Sequence, residues 1–133
     1  MNPELRIPIA TDRDIVAARQ EGRRIAATLN FSQSDLTVIA AAISEVARNI
    51  LTYAATGHIA IQVVERAGRR GVALVAHDEG PGIQDITLAL QDGYSTSGSL
   101  GLGLPGARRL MDEFEIHSNA GRGTTVTMRK WAR

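Results

Sequence analysis

The sequence contains no cysteine and only one lysine among its 133 residues. Without cysteine the chain can form neither disulfides nor thiolate metal sites, which suits a reducing compartment. The single lysine, Lys130, has no glycine-rich loop around it. P-loop proteins and protein kinases of the eukaryotic type each need a lysine that reaches the phosphates, so the sequence excludes both folds.

Charge and long apolar runs are also scarce. The net charge is +1 without any block of like charges, so electrostatics give no reason to expect binding to nucleic acid or to a membrane. No apolar run approaches the length of a membrane span, and residues 1–6 lack the pattern of a signal peptide. The composition, 44% hydrophobic and 22% charged, is typical of a globular protein. We therefore expect one cytoplasmic domain covering residues 1–133.

Hydrophobic periodicity predicts the order strand, helix, helix, strand, strand, helix, strand, strand. Thr11 and Asp14 match a capping box at the first helix, and Ser32 or Ser34 begins a second helix that ends near Tyr53. This order favours an α+β fold, a two-layer sandwich whose helices cover one face of a mixed, mainly antiparallel sheet. The later elements are predicted at 58–65, 71–77, 86–90 (a short helix), 105–111 (a helix), 114–118 and 124–131.

Glu45 and Asn49 lie one turn apart on the second helix, away from its apolar stripe. Their neighbours on this face, Val38, Ala41 and Ala42, are small or apolar, whereas a solvated face would carry charged residues. A carboxylate beside an amide can activate a hydroxyl and bind Mg²⁺. Taken alone, the pair is more often an exposed carboxylate with a neighbouring amide.

Three glycine-rich motifs follow. Asp78-Glu79-Gly80-Pro81-Gly82 places a carboxylate at a strand end, where it can accept a hydrogen bond from an adenine amine, although alone it is a turn signal. Gly101-Leu102-Gly103-Leu104-Pro105-Gly106 opens a helix whose N–H groups can bind phosphate. No strand precedes this segment, so it is not a dinucleotide-binding fingerprint. Gly121-Arg122-Gly123-Thr124-Thr125 is by itself a hairpin turn, in which Thr124 can hydrogen-bond near a purine.

In this order the motifs resemble the GHKL nucleotide-binding family of gyrase-type ATPases, Hsp90-type chaperones, histidine kinases and anti-sigma-factor kinases. Glu45 and Asn49 are similar to its N box, residues 78–82 to its adenine-binding box, and residues 101–103 and 121–124 to its later glycine boxes. Within the family, residues 14–20, 43–50, 92–98 and 103–114 are similar to the switch-protein kinases of the bacterial stressosome. Arg48 departs from the threonine that some anti-sigma kinases carry.

The resemblance implies a GHKL (Bergerat) fold and a serine/threonine protein kinase that uses ATP and Mg²⁺ to phosphorylate a STAS-domain partner of the stressosome. After release from that partner, such a kinase activates a downstream output protein. Glu45 is then the catalytic residue and Asn49 the metal ligand, and the polar loop 92–100 closes as a lid. The implied nucleotide-binding residues are Asn49, Asp78, Gly80, Gly82, Ser95, Thr96, Gly101, Leu102, Gly103, Leu104 and Thr124.

A second class of function fits the same residues. A nucleotide-gated binding module could sequester partners without chemistry, as an anti-sigma factor does. Such a module would keep Asn49 and Asp78 and have no need of Glu45. The three histidines lack metal-ligand spacing, and we expect them to be structural.

Overall fold

The computed structural model describes residues 4–80, 103–119 and 122–132. The elements follow the order predicted from the sequence, with a short 3-10 turn (Ala27–Leu29) added after the first helix. The predicted helix 86–90 and the loop 92–100 lie outside the described residues. The elements are β1 (Leu5–Ile9), α1 (Asp12–Ala26), α2 (Gln33–Tyr53), β2 (Gly57–Arg66), β3 (Arg69–Asp78), α3 (Gly103–Leu110), β4 (Glu113–Asn119) and β5 (Gly123–Trp131).

Local sequence signals explain where the long helices begin. Asp14 and Thr11 form the predicted capping box of α1, in which Asp14 Oδ2 accepts the Thr11 N–H at 3.0 Å. Ser32, and not Ser34, caps α2, because its Oγ accepts the Asp35 N–H at 3.0 Å. Each cap satisfies a backbone donor that the helix itself leaves without a partner.

The five described strands form one sheet in the order β1-β2-β3-β5-β4. All pairings between these strands are antiparallel, in agreement with the mainly antiparallel sheet expected, and no described pair is parallel. The reason is that β5 lies between β3 and β4 and runs antiparallel to both. The expected α+β sandwich is confirmed, since α1 and α2 both pack on this sheet.

The core lies between the helices and one face of the sheet. On β3 the inward residues Val72, Leu74 and Ala76 are buried, as the period of a strand requires. The predicted stripe of α2 is also buried: Leu36, Ile39, Ile43, Val46 and Ile50.

Helix α2 corrects one expectation from the sequence. It has 21 residues, and by length and composition it could cross a membrane. Half of its most apolar window is buried within the protein. A central core helix passes the same test of composition, and this packing accounts for its apolar character.

One carboxylate ties three strands together at the end of the sheet away from Asp78. Glu113 Oε2 accepts hydrogen bonds from Trp131 Nε1 at 2.8 Å and from Arg66 Nη1 at 2.6 Å. Its Oε1 accepts one from Arg129 Nη1 at 3.2 Å. The bond from Trp131, followed by that from Arg66, lowers the pKa of Glu113 below its ordinary value of 4.5.

The turn that leads into β5 packs against the end of β3. Gly123 has a φ of 103°, and a Cβ there would collide with the backbone oxygen of Asp78 and lie 2.8 Å from Glu79 Cα. Gly68, in the β2–β3 turn, also has a positive φ of 78°, but no atom would lie within 4 Å of its Cβ. At Gly68 a glycine is therefore required only for the positive φ. At Gly123 it is required both for the positive φ and because there is no room for a side chain.

Glu113→Gln should make the free energy of unfolding depend less on pH in the acid range. A carboxylate with a lowered folded pKa stabilises the fold above its unfolded pKa, and this contribution is lost as the pH falls through the folded pKa. We expect a lower urea midpoint than the parent at neutral pH, and a difference that shrinks below about pH 4. Glu115→Gln is the matched control, because this exposed carboxylate on the same strand has no described ion pair. Equal pH profiles for both variants would contradict the role of Glu113.

Gly123→Ala should destabilise the protein more than Gly68→Ala. Both variants restrict a left-handed residue, at a cost of about 1–2 kcal/mol each. Only Gly123→Ala also forces a methyl group into backbone, which adds about 1–3 kcal/mol. Urea unfolding of the two variants measures the difference directly, because the change in the unfolded chain is the same for both. Equal losses of stability in the two variants would mean that the turn at Gly123 does not pack tightly against β3.

Candidate functional site

A row of four residues, three of them polar, crosses the helix-facing side of the sheet at the ends of four strands. The strand register pairs Gly57 with Asp78, Asp78 with Thr124, and Thr124 with Ser118. We call these four residues the polar row. The next row inward is apolar and lies at or beside the hydrophobic core, consisting of Ile59, Ala76, Val126 and Ile116. The polar row therefore forms one end of the core.

Asp78 is the central residue of the polar row and is only 5% exposed. Its Oδ1 accepts the N–H of Gly80 at 2.9 Å, and no described residue donates to Oδ2. Every fully buried polar side-chain atom in the described ranges has a partner, so Oδ2 must keep some access to solvent. The site thus presents one engaged oxygen and one open acceptor.

Thr124, beside Asp78, is also only 5% exposed. The hydroxyl of Ser118 donates to the carbonyl of Gly123 at 3.2 Å and lies 3.0 Å from Thr124 Oγ1. Either hydroxyl could be the donor in the contact between Ser118 and Thr124, and in both cases the Thr124 oxygen keeps a lone pair that can accept. Asp78 and Thr124 therefore both offer acceptors to a ligand that carries an amine.

The C-terminal turn of α2 lies directly on the segment that contains Asp78. A Cβ on Gly57 would touch the backbone oxygen of His77 and lie 2.9 Å from Ile50 Cγ2 and 3.1 Å from Asp78 Cβ. A Cβ on Gly80 would lie 2.5 Å from Ala54 Cβ. Sequence reasoning missed Gly57, although a glycine at the start of a strand often marks such a close approach.

Glu45 and Asn49 are half-buried on α2, as their apolar neighbours predicted. Glu45 Oε1 lies 3.3 Å from Arg48 Nη1. The amide of Asn49 has no described hydrogen-bond partner, so its oxygen is free to bind a hard cation such as Mg²⁺. In the described ranges, no group of three or more His, Asp or Glu residues could hold a metal ion unaided.

The remaining predicted site residues divide into two groups. Gly103 begins α3, whose first-turn N–H groups have no intrahelical partners. The side chain of Leu104 is buried in the core, so only its backbone can contact a ligand. Gly82, Ser95, Thr96, Gly101 and Leu102 lie outside the described residues.

The three histidines share one row on the opposite face of the sheet, which the sequence did not predict. The register places His58 beside His77, and Thr125 between His77 and His117. His77 Nδ1 lies 2.8 Å from Thr125 Oγ1. Partial burial, then the charges of Arg6 and His77, lower the pKa of His58. Each histidine adjoins a residue of the polar row along the chain.

Comparison with known proteins places the chain in a family. Residues 9–130 match the family model described as the histidine kinase-like ATPase domain. The chain is 51% identical over 133 residues to the serine/threonine-protein kinase RsbT of Bacillus subtilis (strain 168), covering 100% of both chains. It is 31% identical over 124 residues to the anti-sigma F factor of Thermoanaerobacter sp. (strain X514), covering 90% of this chain and 82% of that one.

A solved structure supports the fold. The RsbU and RsbW domains of a Mycobacterium tuberculosis protein align with a TM-score of 0.64 and 21% identity, covering 98% of this chain and 33% of that chain. At this identity the likeness extends to the fold alone. The relatives at higher identity confirm the expected kinase class and the use of ATP. The chain belongs to the histidine kinase-like ATPase family and is a serine/threonine-protein kinase.

Proposed function

We propose that this kinase transfers the γ-phosphoryl group of ATP to a serine or threonine of a STAS-domain partner of the stressosome. Transfer then releases the kinase to act on a downstream output protein in the cytoplasm. The observation that supports ATP binding most directly is Asp78, a buried carboxylate with one open oxygen beside the helix that carries Asn49 and Glu45. The partner class rests on the resemblance of residues 14–20, 43–50 and 103–114 to switch-protein kinases.

Adenine fits the acceptors of the polar row. Its exocyclic amine is a donor, and Asp78 Oδ2 and Thr124 Oγ1 are acceptors. At the same ring position guanine carries a carbonyl oxygen, which would face these acceptors without a shared hydrogen. The site is therefore expected to prefer ATP to GTP.

The order of groups along α2 also fits a nucleotide. Ala54 meets Gly80 at the adenine end, Asn49 lies about 7 Å back along the helix axis, and Glu45 about 13 Å back. The base, the phosphates and the acceptor hydroxyl of a transfer complex follow one another in the same order. Mg²⁺, when bound, neutralises charge on the phosphates. It takes most of its ligands from phosphate and water, so the Asn49 oxygen is a sufficient protein ligand.

The chain supplies three further parts of the reaction. Glu45 accepts the proton of the acceptor hydroxyl while that oxygen bonds to the γ-phosphorus and the bond to the β–γ bridging oxygen breaks, which leaves ADP. The first-turn N–H groups of α3 bind phosphate oxygens. The sequence predicts that loop 92–100, which lies outside the described residues, serves as a lid over the phosphates. Positioning and charge neutralisation contribute most of the rate in phosphoryl transfer.

Asp78→Asn tests the adenine assignment. The new side chain can still accept the Gly80 N–H through its oxygen, but its NH₂ group then faces the adenine amine, which costs about 1–3 kcal/mol or more. Calorimetric titration should show ATP affinity reduced at least about tenfold. Asp14→Asn is the control, because Asp14 also accepts backbone N–H groups but lies in the cap of α1. Unchanged ATP affinity in Asp78→Asn would refute adenine binding at the polar row.

Glu45→Ala tests whether the protein acts by catalysis or by binding alone. General-base groups contribute about 10²–10⁴-fold, so phosphorylation of the STAS partner should be lost while Mg-ATP binding persists. In the parent, the new phosphate adds about two negative charges beside Glu45, and repulsion expels the product. Glu45→Ala should therefore stay bound to its partner in the presence of ATP.

Pull-down with and without ATP separates the two functions. The parent should dissociate from the STAS partner when ATP is added, and Glu45→Ala should not. Glu21→Ala, which removes a more exposed carboxylate that has an arginine partner at the same spacing on α1, should behave like the parent. Equal release of the parent and Glu45→Ala would mean that nucleotide binding alone drives the switch, as in the sequestering module.

A further inference from the structure

Arg48 is the one charged residue that contacts Glu45 in the described structure. Its Nη1 donates to Glu45 Oε1 at 3.3 Å, and the two residues are three positions apart on α2. In the described ranges neither side chain has a second partner. Oε2 of Glu45 is therefore left without a donor, and most N–H groups of the guanidinium are unused.

The two side chains differ in burial. The side chain of Glu45 is 18% exposed and that of Arg48 is 52% exposed. The carboxylate thus lies among the half-buried residues of α2, and the guanidinium that contacts it is more open to solvent.

Helix stability does not account for this pair. Exposed ion pairs at this spacing contribute little to stability, because solvent screens them and both side chains lose freedom. The chain contains a second pair with the same chemistry and spacing, Glu21 and Arg24 on α1, with N···O at 2.6 Å and side chains 40% and 65% exposed. The α1 pair is shorter but more exposed, so it provides an internal reference for what such a pair does on a helix surface.

We propose that Arg48 is a positioning residue of the transfer reaction. Its N–H bond to Oε1 fixes the Glu45 carboxylate in one orientation and leaves Oε2 to accept the proton of the acceptor hydroxyl. This inference rests on the proposed role of Glu45 as the proton acceptor. Arg48 keeps its own charge throughout, because a guanidinium does not release a proton in proteins. Fixing a reacting group in advance lowers the barrier, and a small misplacement is costly.

The test compares Arg48→Ala and Arg48→Lys with Arg24→Ala under steady-state phosphorylation of the STAS-domain acceptor. Arg48→Ala should lower kcat about ten- to a hundredfold, with the acceptor KM and the ATP affinity within about twofold of the parent. Arg48→Lys should recover part of the rate, since an ammonium supplies the charge without the planar fork. Added methylguanidinium should also raise the rate of Arg48→Ala. Arg24→Ala should match the parent in every measurement.

A double-mutant cycle separates this role from others. In the Glu45→Ala background, where residual transfer is followed with labelled ATP in single turnovers, Arg48→Ala should cause no further loss. An additive loss, or an effect on acceptor KM instead of kcat, would overturn the positioning role and assign Arg48 to acceptor binding. An unchanged kcat in Arg48→Ala would also contradict the positioning role, and the contact between Arg48 and Glu45 would then be a surface ion pair without a role in transfer. If Glu45→Ala itself retains full transfer, Glu45 is not the proton acceptor and the positioning role of Arg48 fails with it, whereas the proposed function fails only if the parent does not phosphorylate the acceptor.

Discussion

The candidate site depends on how closely separate stretches of backbone approach the end of β3. Ala54, which follows the last residue of α2, lies against Gly80, and the turn before β5 lies against Asp78 and Glu79 at Gly123. A methyl group at either glycine would separate one of these segments from β3. This close packing buries the Asp78 carboxylate at the junction of helix and sheet. Burial alone would be costly for a charge, and the Gly80 N–H offsets part of that cost by bonding to Oδ1.

This packing also fixes the polarity of the site before any ligand arrives. Among the described residues, the Gly80 N–H is already used in its bond to Asp78 Oδ1, and the Ser118 hydroxyl donates to a carbonyl. Asp78 Oδ2 then remains as an acceptor for a ligand. A site built to receive hydrogen bonds rejects a ligand that lacks the donor more strongly than an apolar pocket rejects a change of shape. Ser118, which the sequence did not single out, lies 3.0 Å from the Thr124 hydroxyl and shares a hydrogen bond with it.

The sequence predicted the positions of the helices and strands well, but it did not predict which residues of distant strands lie side by side. Both outcomes have a physical reason. The capping box at Thr11 and the apolar stripe of α2 are local signals, so helix starts and buried faces could be read directly. The pairing of Asp78 with Thr124 joins strands separated by more than forty residues. Local patterns carry no information on that register, so Gly57, Ser118 and the row of histidines were missed. Only the order of motifs, through the family resemblance, indicated that Asp78 and Thr124 act together.

In the function proposed here, nucleotide binding and catalysis depend on different parts of this fold. Asp78 and Thr124 belong to the sheet, where the register and the close packing hold them, and a change there disturbs the core. Glu45 and Arg48 lie on the outer part of α2, where a substitution leaves the buried stripe of the helix intact. A chain can therefore lose the proton acceptor and still bind nucleotide. Substitutions at these two places therefore test the proposed catalytic role and the proposed nucleotide binding separately.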